Sequence, residues 1–235
     1  MEAKKVQITD EDLERMALEA CAGGKAWNID SVLRIFFQVL VDGRNWSYGE
    51  PDQTAVLVLP GQQDYRITRV LQNVWPAQGK YLWVAGTRGD PFIEEEDIVH
   101  RIVTTGQNSP CLDFIECQGW ADNTPDQMEW ACKMARKYAE VNHLIVATAA
   151  YHLPRCVLTF IKEMNKADLF VPVIPWPLTS FSGDSFAKKG NQNFALEIAK
   201  VLKYQESGHV APVAEWEEYL KRRLGKDDTL KNAEK

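Results

Sequence analysis

The sequence predicts an α/β fold built on a mainly parallel, five-stranded sheet. Short apolar runs alternate with segments of helical periodicity from residue 54 to residue 174, which is the pattern of strands joined by helical crossovers. The segments before and after this region have the periodicity of helices. The chain has 235 residues, 45% of them hydrophobic, which is enough for one large domain or two small ones. We predict a single domain over residues 1–235.

Five apolar runs are predicted to form the strands of this sheet. In chain order they are Thr54–Leu59, Tyr81–Ala85, Leu112–Glu116, Leu144–Thr148 and Leu169–Ile174. Three prolines, Pro172, Pro175 and Pro177, lie in or just after the last run. Because proline has no N–H to donate to a central ladder, the last strand is predicted to be short and to lie at an edge of the sheet.

The helices between these strands have apolar faces that follow the i, i+3, i+4, i+7 spacing. The faces consist of Ile67, Val70, Leu71 and Val74; of Met128, Ala131, Cys132 and Ala135; and of Leu153, Cys156, Val157, Phe160, Ile161 and Met164. A further helix is predicted from Ile93 to Val103. Right-handed crossovers would place these helices on both faces of the sheet.

The predicted core, residues 54–178, is flanked on both sides by helices. The N-terminal segment, residues 1–53, contains two helices within residues 9–41, and the second starts near the capping residues Asn28 and Ser31. The C-terminal segment, residues 179–225, starts with a loop of Ser, Gly and Asp over residues 179–190. Two helices follow over residues 192–206 and 212–224, with Ser207-Gly208 between them, and a charged tail over residues 226–235 is expected to fray.

Composition excludes several classes of protein. The net charge of −6 and the mixing of charged residues along the chain argue against a nucleic-acid surface, which needs clustered Lys and Arg. No apolar run approaches the ~20 residues needed to span a membrane, and the N-terminus lacks the apolar stretch of a signal peptide. The five cysteines include no C-x-x-C pair and form no zinc ligand set with the four histidines; Cys132 and Cys156 are predicted to lie in the core. We therefore expect a cytoplasmic protein.

Three arginines are predicted to meet at the carboxyl edge of the sheet, where open parallel sheets bind ligands. Arg66, Arg88 and Arg155 each follow a different predicted strand. Two of them lie in the first turn of a helix, where a cation costs ~0.3–1 kcal/mol unless an anion is bound. They are therefore predicted to bind a phosphate or a carboxylate. The alternative is a salt-bridge network with acidic residues of the same loops, namely Asp64, Asp90, Glu116 and Asp122.

The turn after the fourth predicted strand is the most informative part of the chain. The strand ends in Thr148, the turn presents Tyr151 and His152, and Pro154 stands where a helix should start. An unperturbed imidazole titrates near ~6.5, so His152 is predicted to transfer a proton at neutral pH. The alternative is a surface turn in which the histidine caps the helix and the following arginine is solvated.

The segment after the third predicted strand fits a capping box. Thr124 would be the N-cap, Pro125 the first helical residue and Gln127 the third. Because Asn123 and Thr124 share the same edge of the sheet, we expect them both to cap the helix and to contact a ligand.

Two motifs resemble the YdcF/SanA/ElyC-like proteins, which carry the domain of unknown function 218. The first motif is residues 123–127, with the sequence NTPDQ, and the second is residues 146–155, with the sequence VATAAYHLPR. The pattern of the family is N-T-x-E-N, a helix, and then V-T-s-x-x-H-m-x-R-A. The resemblance covers residues 54–175, and the chain departs from the pattern at Asp126-Gln127, at Cys156 and at Pro60-Gly61, where two glycines are common.

The resemblance implies a Rossmann-like, three-layer α/β/α domain with a pocket at the strand ends. The first two predicted strands are similar to the opening half of the family, which implies ligand contacts at Gly61 and Gly86. Relatives have been linked to nucleotide-like ligands such as S-adenosylmethionine and to the metabolism of envelope precursors. Many relatives are anchored in a membrane, whereas this sequence shows no anchor. The usual nucleotide, hydrolase and zinc-protease motifs, including G-x-G-x-x-G, are not found.

We therefore expect an enzyme, a hydrolase or a transferase, acting on a phosphorylated or nucleotide-like small molecule. The three arginines would hold the anion, His152 would transfer a proton, and Glu116 or Asp126 would hold a divalent cation or set the histidine tautomer. S-adenosylmethionine is the alternative to a divalent cation as the predicted cofactor. Further ligand contacts are assigned to Gly61, Gly86, Thr87, Asn123, Thr124, Gln127, Thr148 and Tyr151. The alternatives are a non-catalytic sensor of the same ligand and a protein-interaction scaffold that uses the flanking helices with exposed Trp120 and Trp176.

Overall fold

The computed structural model of the chain describes residues 49–60, 65–86, 112–121, 123–178 and 194–233, together with residues 28, 31–35, 39, 100 and 104. Within these residues five strands form one sheet: β1 Thr54–Val58, β2 Tyr81–Ala85, β3 Ile115–Gln118, β4 His143–Ala149 and β5 Val173–Leu178. The strand order is β3-β2-β1-β4-β5, and every neighbouring pair is parallel. The prediction of a five-stranded parallel sheet is confirmed.

Helices cover both faces of this sheet, so the fold is a Rossmann-like, three-layer α/β/α arrangement. The helices are α1 Tyr65–Asn73, α2 Thr124–Lys137, α3 Leu153–Lys166, α4 Phe194–Glu206 and α5 Val213–Ala233. Helix α1 packs with Val56 and Val58 of β1 in one core cluster. Helices α2, α3 and α5 pack with Ala55 and Leu57 of the same strand in the other cluster. The apolar faces predicted for α1, α2 and α3 are all buried.

The bounds of the third and fifth strands differ most from the prediction. Leu112–Phe114 forms a 3₁₀ turn, so β3 starts at Ile115 and continues to Gln118. The last strand starts at Val173, where the sequence predicts a start at Leu169. The reason is local, because the N–H of Leu169 closes the end of α3 by donating to the carbonyl of Met164. That bond keeps Leu169 in the helix terminus and out of the sheet.

β5 is an edge strand, as its prolines predict, but it runs through two of them. The carbonyl of Pro172 accepts a hydrogen bond from Leu144 of β4. Hydrogen-bonding groups point to alternate sides along a strand. The nitrogens of Pro175 and Pro177 therefore point away from β4, where the missing N–H groups cost no ladder bond. This alternation explains why β5 extends to Leu178.

Helix α5 covers the outer side of β5. Val173 donates its N–H to the hydroxyl of Tyr219 at 2.7 Å, and its carbonyl accepts a hydrogen bond from Arg223. The helix thus satisfies backbone groups that an edge strand would otherwise expose. It continues to Ala233, whereas the sequence predicts a helix end at residue 224 and a frayed tail from residue 226.

The remaining predicted helices are described in part. Asn28 and Ser31 bond each other reciprocally through backbone and side chain, both at 2.9 Å, and residues 31–35 are helical, which confirms a helix start here. The first predicted helix, most of residues 93–103 and the loop over residues 179–190 lie outside the described residues. In the part of the chain that the structure describes, no helix combines the length and the apolar character that a membrane span requires.

Candidate functional site

The candidate site lies between the carboxyl ends of β1 and β4. The chain leaves β1 for α1 on one face of the sheet and leaves β4 for α3 on the other face. The strand order therefore reverses between these two neighbouring strands. Open α/β sheets bind ligands at such a switch point, because the two connections diverge and leave a crevice between them.

Arg66 spans this switch point from the first turn of α1, where it is 4% exposed. One of its terminal nitrogens donates to the carbonyl of Leu59, just after β1, at 3.1 Å and to Thr148 Oγ1 of β4 at 3.3 Å. The other terminal nitrogen donates to the hydroxyl of Tyr151 at 3.0 Å. The structure thus brings together three of the predicted site residues, Arg66, Thr148 and Tyr151.

Arg155 forms the second half of the site, in the first turn of α3. Its Nε donates to Glu197 Oε2 at 2.5 Å, and one terminal nitrogen lies 3.4 Å from Glu197 Oε1. The same nitrogen lies 3.0 Å from Nδ1 of His152, and the other terminal nitrogen donates to Thr124 Oγ1 at 3.0 Å. The ring of Tyr204 is 5.6 Å from the guanidinium carbon. Arg155 is buried and hydrogen-bonded through all three of its guanidinium nitrogens, so the alternative of a solvated arginine is wrong.

Glu197 is the residue of this cluster that was not predicted from the sequence. It lies in the first turn of α4, is 1% exposed, and also accepts a hydrogen bond from Lys200 at 2.8 Å. The salt-bridge alternative therefore holds for Arg155, but with a partner from a different element. A signal was present in the sequence, because Glu197 shares its helix stripe with Val201 and Tyr204 at i, i+4 and i+7. An acidic residue on such a stripe needs a buried partner.

His152 is neutral in this environment. Burial removes water from the imidazole and the neighbouring Arg155 disfavours a second positive charge, so the pKa of His152 is lowered to about 4. The expectation of an unperturbed imidazole is therefore wrong. His152 holds the N-cap position of α3, but its side chain makes no capping hydrogen bond.

The contacts of His152 show which nitrogen of its neutral ring carries the hydrogen. An arginine can only donate, so Nδ1 of His152 accepts the hydrogen bond from Arg155 and the ring hydrogen is on Nε2. Nδ1 also lies 3.2 Å from Glu197 Oε2, and that contact is a hydrogen bond only when Nδ1 is protonated. Burial alone would raise the pKa of Glu197, but the charge of Arg155 and its hydrogen bonds hold that pKa well below its usual range. Glu197 and Arg155 therefore form a buried ion pair.

The start of α2 differs from the predicted capping box. Asn123 is the N-cap, because its side chain accepts a hydrogen bond from the N–H of Asp126 at 3.0 Å. Thr124 is the first helical residue, so its predicted role as the cap is wrong, and its hydroxyl accepts the bond from Arg155. Gln127 does not complete a capping box either. Its side-chain amide donates instead to the carbonyl of Ala85 at the end of β2, at 2.9 Å.

Of the two predicted acidic residues, Glu116 lies apart from the arginine cluster. The carboxylate of Glu116 accepts hydrogen bonds from Lys137 and Tyr138, at the C-terminal end of α2, whereas Thr124 meets Arg155 at the N-terminal end. Asp126 lies in the first turn of α2 and contributes its backbone N–H to the Asn123 cap. Within the described residues, no group of three or more His, Cys, Asp or Glu side chains is placed to hold a metal ion.

The glycine predicted after β2 has a steric role at the sheet edge. A Cβ on Gly86 would lie 2.8 Å from the carbonyl oxygen of Gln118, which also accepts the Gly86 N–H at 2.6 Å. Only glycine therefore fits without a shift of β3. Three other predicted site residues and three acidic candidates lie outside the described residues: Gly61, Thr87, Arg88, Asp64, Asp90 and Asp122.

The cysteines and tryptophans singled out by the sequence occupy different environments. Cys132 and Cys156 are buried as predicted, and burial raises the pKa of the Cys132 thiol to about 12, so it is a core residue. Trp120 is 56% exposed, whereas Trp176 is half-buried and packs against the core cluster under α1. The predicted exposure of Trp176 is therefore wrong.

No family model and no curated protein matches this chain. The resemblance to the YdcF/SanA/ElyC-like proteins rests on sequence motifs and stays a prediction. In the structure the two motifs contact each other, through the hydrogen bond between Thr124 of the first and Arg155 of the second.

Proposed function

We propose that the protein binds a small phosphorylated or nucleotide-like molecule between the carboxyl ends of β1 and β4. The observation that carries this proposal is the position of Arg66, whose guanidinium bridges the end of β1 and Thr148 of β4. A cation held at a switch point attracts an anionic group into the crevice and donates charge-assisted hydrogen bonds to it. The resemblance of residues 123–127 and 146–155 to the YdcF-like pattern supports the same class of ligand.

The directions of the helices favour an anion at the same place. Helices α1 and α3 both start at this edge of the sheet, so the positive ends of their dipoles face the crevice. The hydroxyl of Tyr151, which already contacts Arg66, is a further donor for a phosphate oxygen.

His152 separates two versions of this function, an enzyme that transforms the ligand and a sensor that only binds it. With a pKa of about 4, its imidazole is a weak base at neutral pH, which disfavours the predicted proton transfer. Its Nε2–H is suited to donating a hydrogen bond to a phosphate oxygen. We therefore propose a protein that recognises the ligand as the first candidate function. A hydrolase or transferase acting on that ligand is the second candidate.

Binding is tested by thermal unfolding with inorganic phosphate, AMP or S-adenosylmethionine, at matched ionic strength. A ligand that binds only the folded state raises the melting temperature, so we expect phosphate and AMP to stabilise the wild type. Arg66→Gln removes the bridging charge and should lose most of this response. Arg69→Gln, a partly exposed position on the same helix, should respond as the wild type does.

A phosphate response of Arg66→Gln that equals the wild-type response would place the anion elsewhere and reject this site. The same incubations, analysed by mass spectrometry for altered ligand, separate the two versions. Product formed by the wild type identifies an enzyme, and binding without product identifies a sensor.

A further inference from the structure

The buried carboxylate of Glu197 occupies the side of Arg155 that an anionic ligand would use. The side chain of Glu197 is 2% exposed, while those of Arg155 and His152 are 11% and 14% exposed. Glu197 is therefore the most buried member of the cluster, and the arginine and the histidine are its more accessible members. A side-on pair through Nε and one terminal nitrogen is also the geometry in which arginine binds free carboxylates and phosphates.

The hydrogen bonds of Arg155 leave little capacity for a ligand. The contacts within the described residues use the Nε hydrogen, both hydrogens of one terminal nitrogen and one hydrogen of the other. An anion that engages Arg155 through two N–H groups must therefore share or replace a bond that the arginine already makes, and the bonds to Glu197 involve two of its three nitrogens. If the bonds between Glu197 and Arg155 break, the carboxylate of Glu197 keeps the hydrogen bond from Lys200. The side chain of Lys200 is partly exposed and can move together with that carboxylate.

We propose that Glu197 is a specificity-determining residue: by competing for Arg155, it makes the site accept phosphate monoesters and reject carboxylates. This inference rests on the proposed function, since it concerns the anions that enter the same crevice. A carboxylate ligand would only exchange one single negative charge for another at Arg155. A phosphate monoester carries ~1.5 to 2 negative charges and three acceptor oxygens, so it can engage Arg66 and Arg155 together.

The test compares inorganic phosphate with acetate as ligands of the wild type, Glu197→Gln and Glu215→Gln. Glu215 is the matched control, because it accepts bonds from Lys162 and Asn165 on the surface between α3 and α5, remote from the crevice. Thermal shifts are measured at constant ionic strength and about pH 8, where phosphate is mainly a dianion. We expect phosphate, but not acetate, to stabilise the wild type and Glu215→Gln. We expect both anions to stabilise Glu197→Gln, with phosphate acting at about tenfold lower concentration.

Glu197→Gln with the wild-type preference for phosphate over acetate would overturn the inference and leave the proposed function intact. If phosphate stabilises neither the wild type nor Glu215→Gln, the proposed function fails. In that case a response confined to Glu197→Gln still supports the competition, and its absence there overturns both. Glu197→Asp, which keeps the charge but shortens the side chain, is the second variant if Glu197→Gln does not fold; it should give an intermediate preference.

Discussion

At the scale of single residues, the charge balance around α3 decides what His152 can do. Arg155 stays protonated, because the opposing charge and hydrogen bonds of Glu197 outweigh the burial of the guanidinium. The nearby guanidinium, together with burial, then keeps His152 neutral. The same three side chains therefore set both the hydrogen-bonding state of the site and a pH dependence of the fold.

We expect the free energy of unfolding to fall as the pH drops from about 7 to about 5. In this window the unfolded imidazole, which titrates near ~6.5, takes up a proton, whereas folded His152, with a pKa of about 4, does not. Proton uptake by the unfolded state alone lowers stability, by about 2 kcal/mol at pH 5. Glu197 has a lowered pKa, so its stabilisation is lost only at lower pH. Urea denaturation at a series of pH values measures the slope.

The variant His152→Asn should have a flatter pH dependence over this window, because the group that titrates differently in the two states is gone. His209→Asn removes an exposed histidine after α4 and should keep the wild-type slope. An equally steep slope in His152→Asn would show that another group causes the pH dependence.

At the scale of elements, the start of α2 shows how a tertiary contact selects between two local caps. Asn123 and Thr124 are both good N-cap residues, and the sequence T-P-D-Q matches a capping box. In the structure the hydroxyl of Thr124 bonds Arg155, which lies on another helix. Asn123, one residue earlier, therefore caps the helix.

Asn123→Ala should therefore destabilise the protein by about 1 kcal/mol, the usual cost of a lost cap. Asn123→Asp should be close to neutral, because aspartate is an equally good cap. Chemical denaturation of the three proteins measures the difference. An unchanged stability in Asn123→Ala would mean that Thr124, and not Asn123, caps α2 in solution.

At the scale of the whole molecule, α5 closes the exposed edge of the sheet. Tyr219 and Arg223 reach the outward N–H and carbonyl of Val173, at the start of β5. The prolines of the same strand point their nitrogens to this outer side and have no N–H that needs a partner there. The C-terminal helix and the edge strand therefore depend on each other.

Tyr219→Phe should cost about 1–3 kcal/mol, because the buried N–H of Val173 loses its acceptor while the packing of the ring is kept. Lys221→Ala, at an exposed position of the same helix, should change stability by less than about 0.5 kcal/mol. Urea denaturation checks both values. Equal stability of Tyr219→Phe and the wild type would show that α5 does not satisfy the edge of β5.

Part of the site was predictable from the sequence, and the reason is topological. Apolar alternation and helical spacing are local properties, so they predict β1, β2 and β4 and the buried faces of three helices. Parallel strands end at a common edge, so the meeting of Arg66 with Thr148 and Tyr151 follows from the strand order.

Other features of the site depend on contacts that no local pattern encodes. The packing of α4 against α3 brings Glu197 to Arg155, although the connection between β5 and α4 lies outside the described residues, and desolvation within that contact lowers the pKa of His152. The sequence by itself thus determined the sheet and its edge strand. Only the tertiary structure decided which charges are compensated at the candidate site, because compensation is a property of side chains that meet from distant elements.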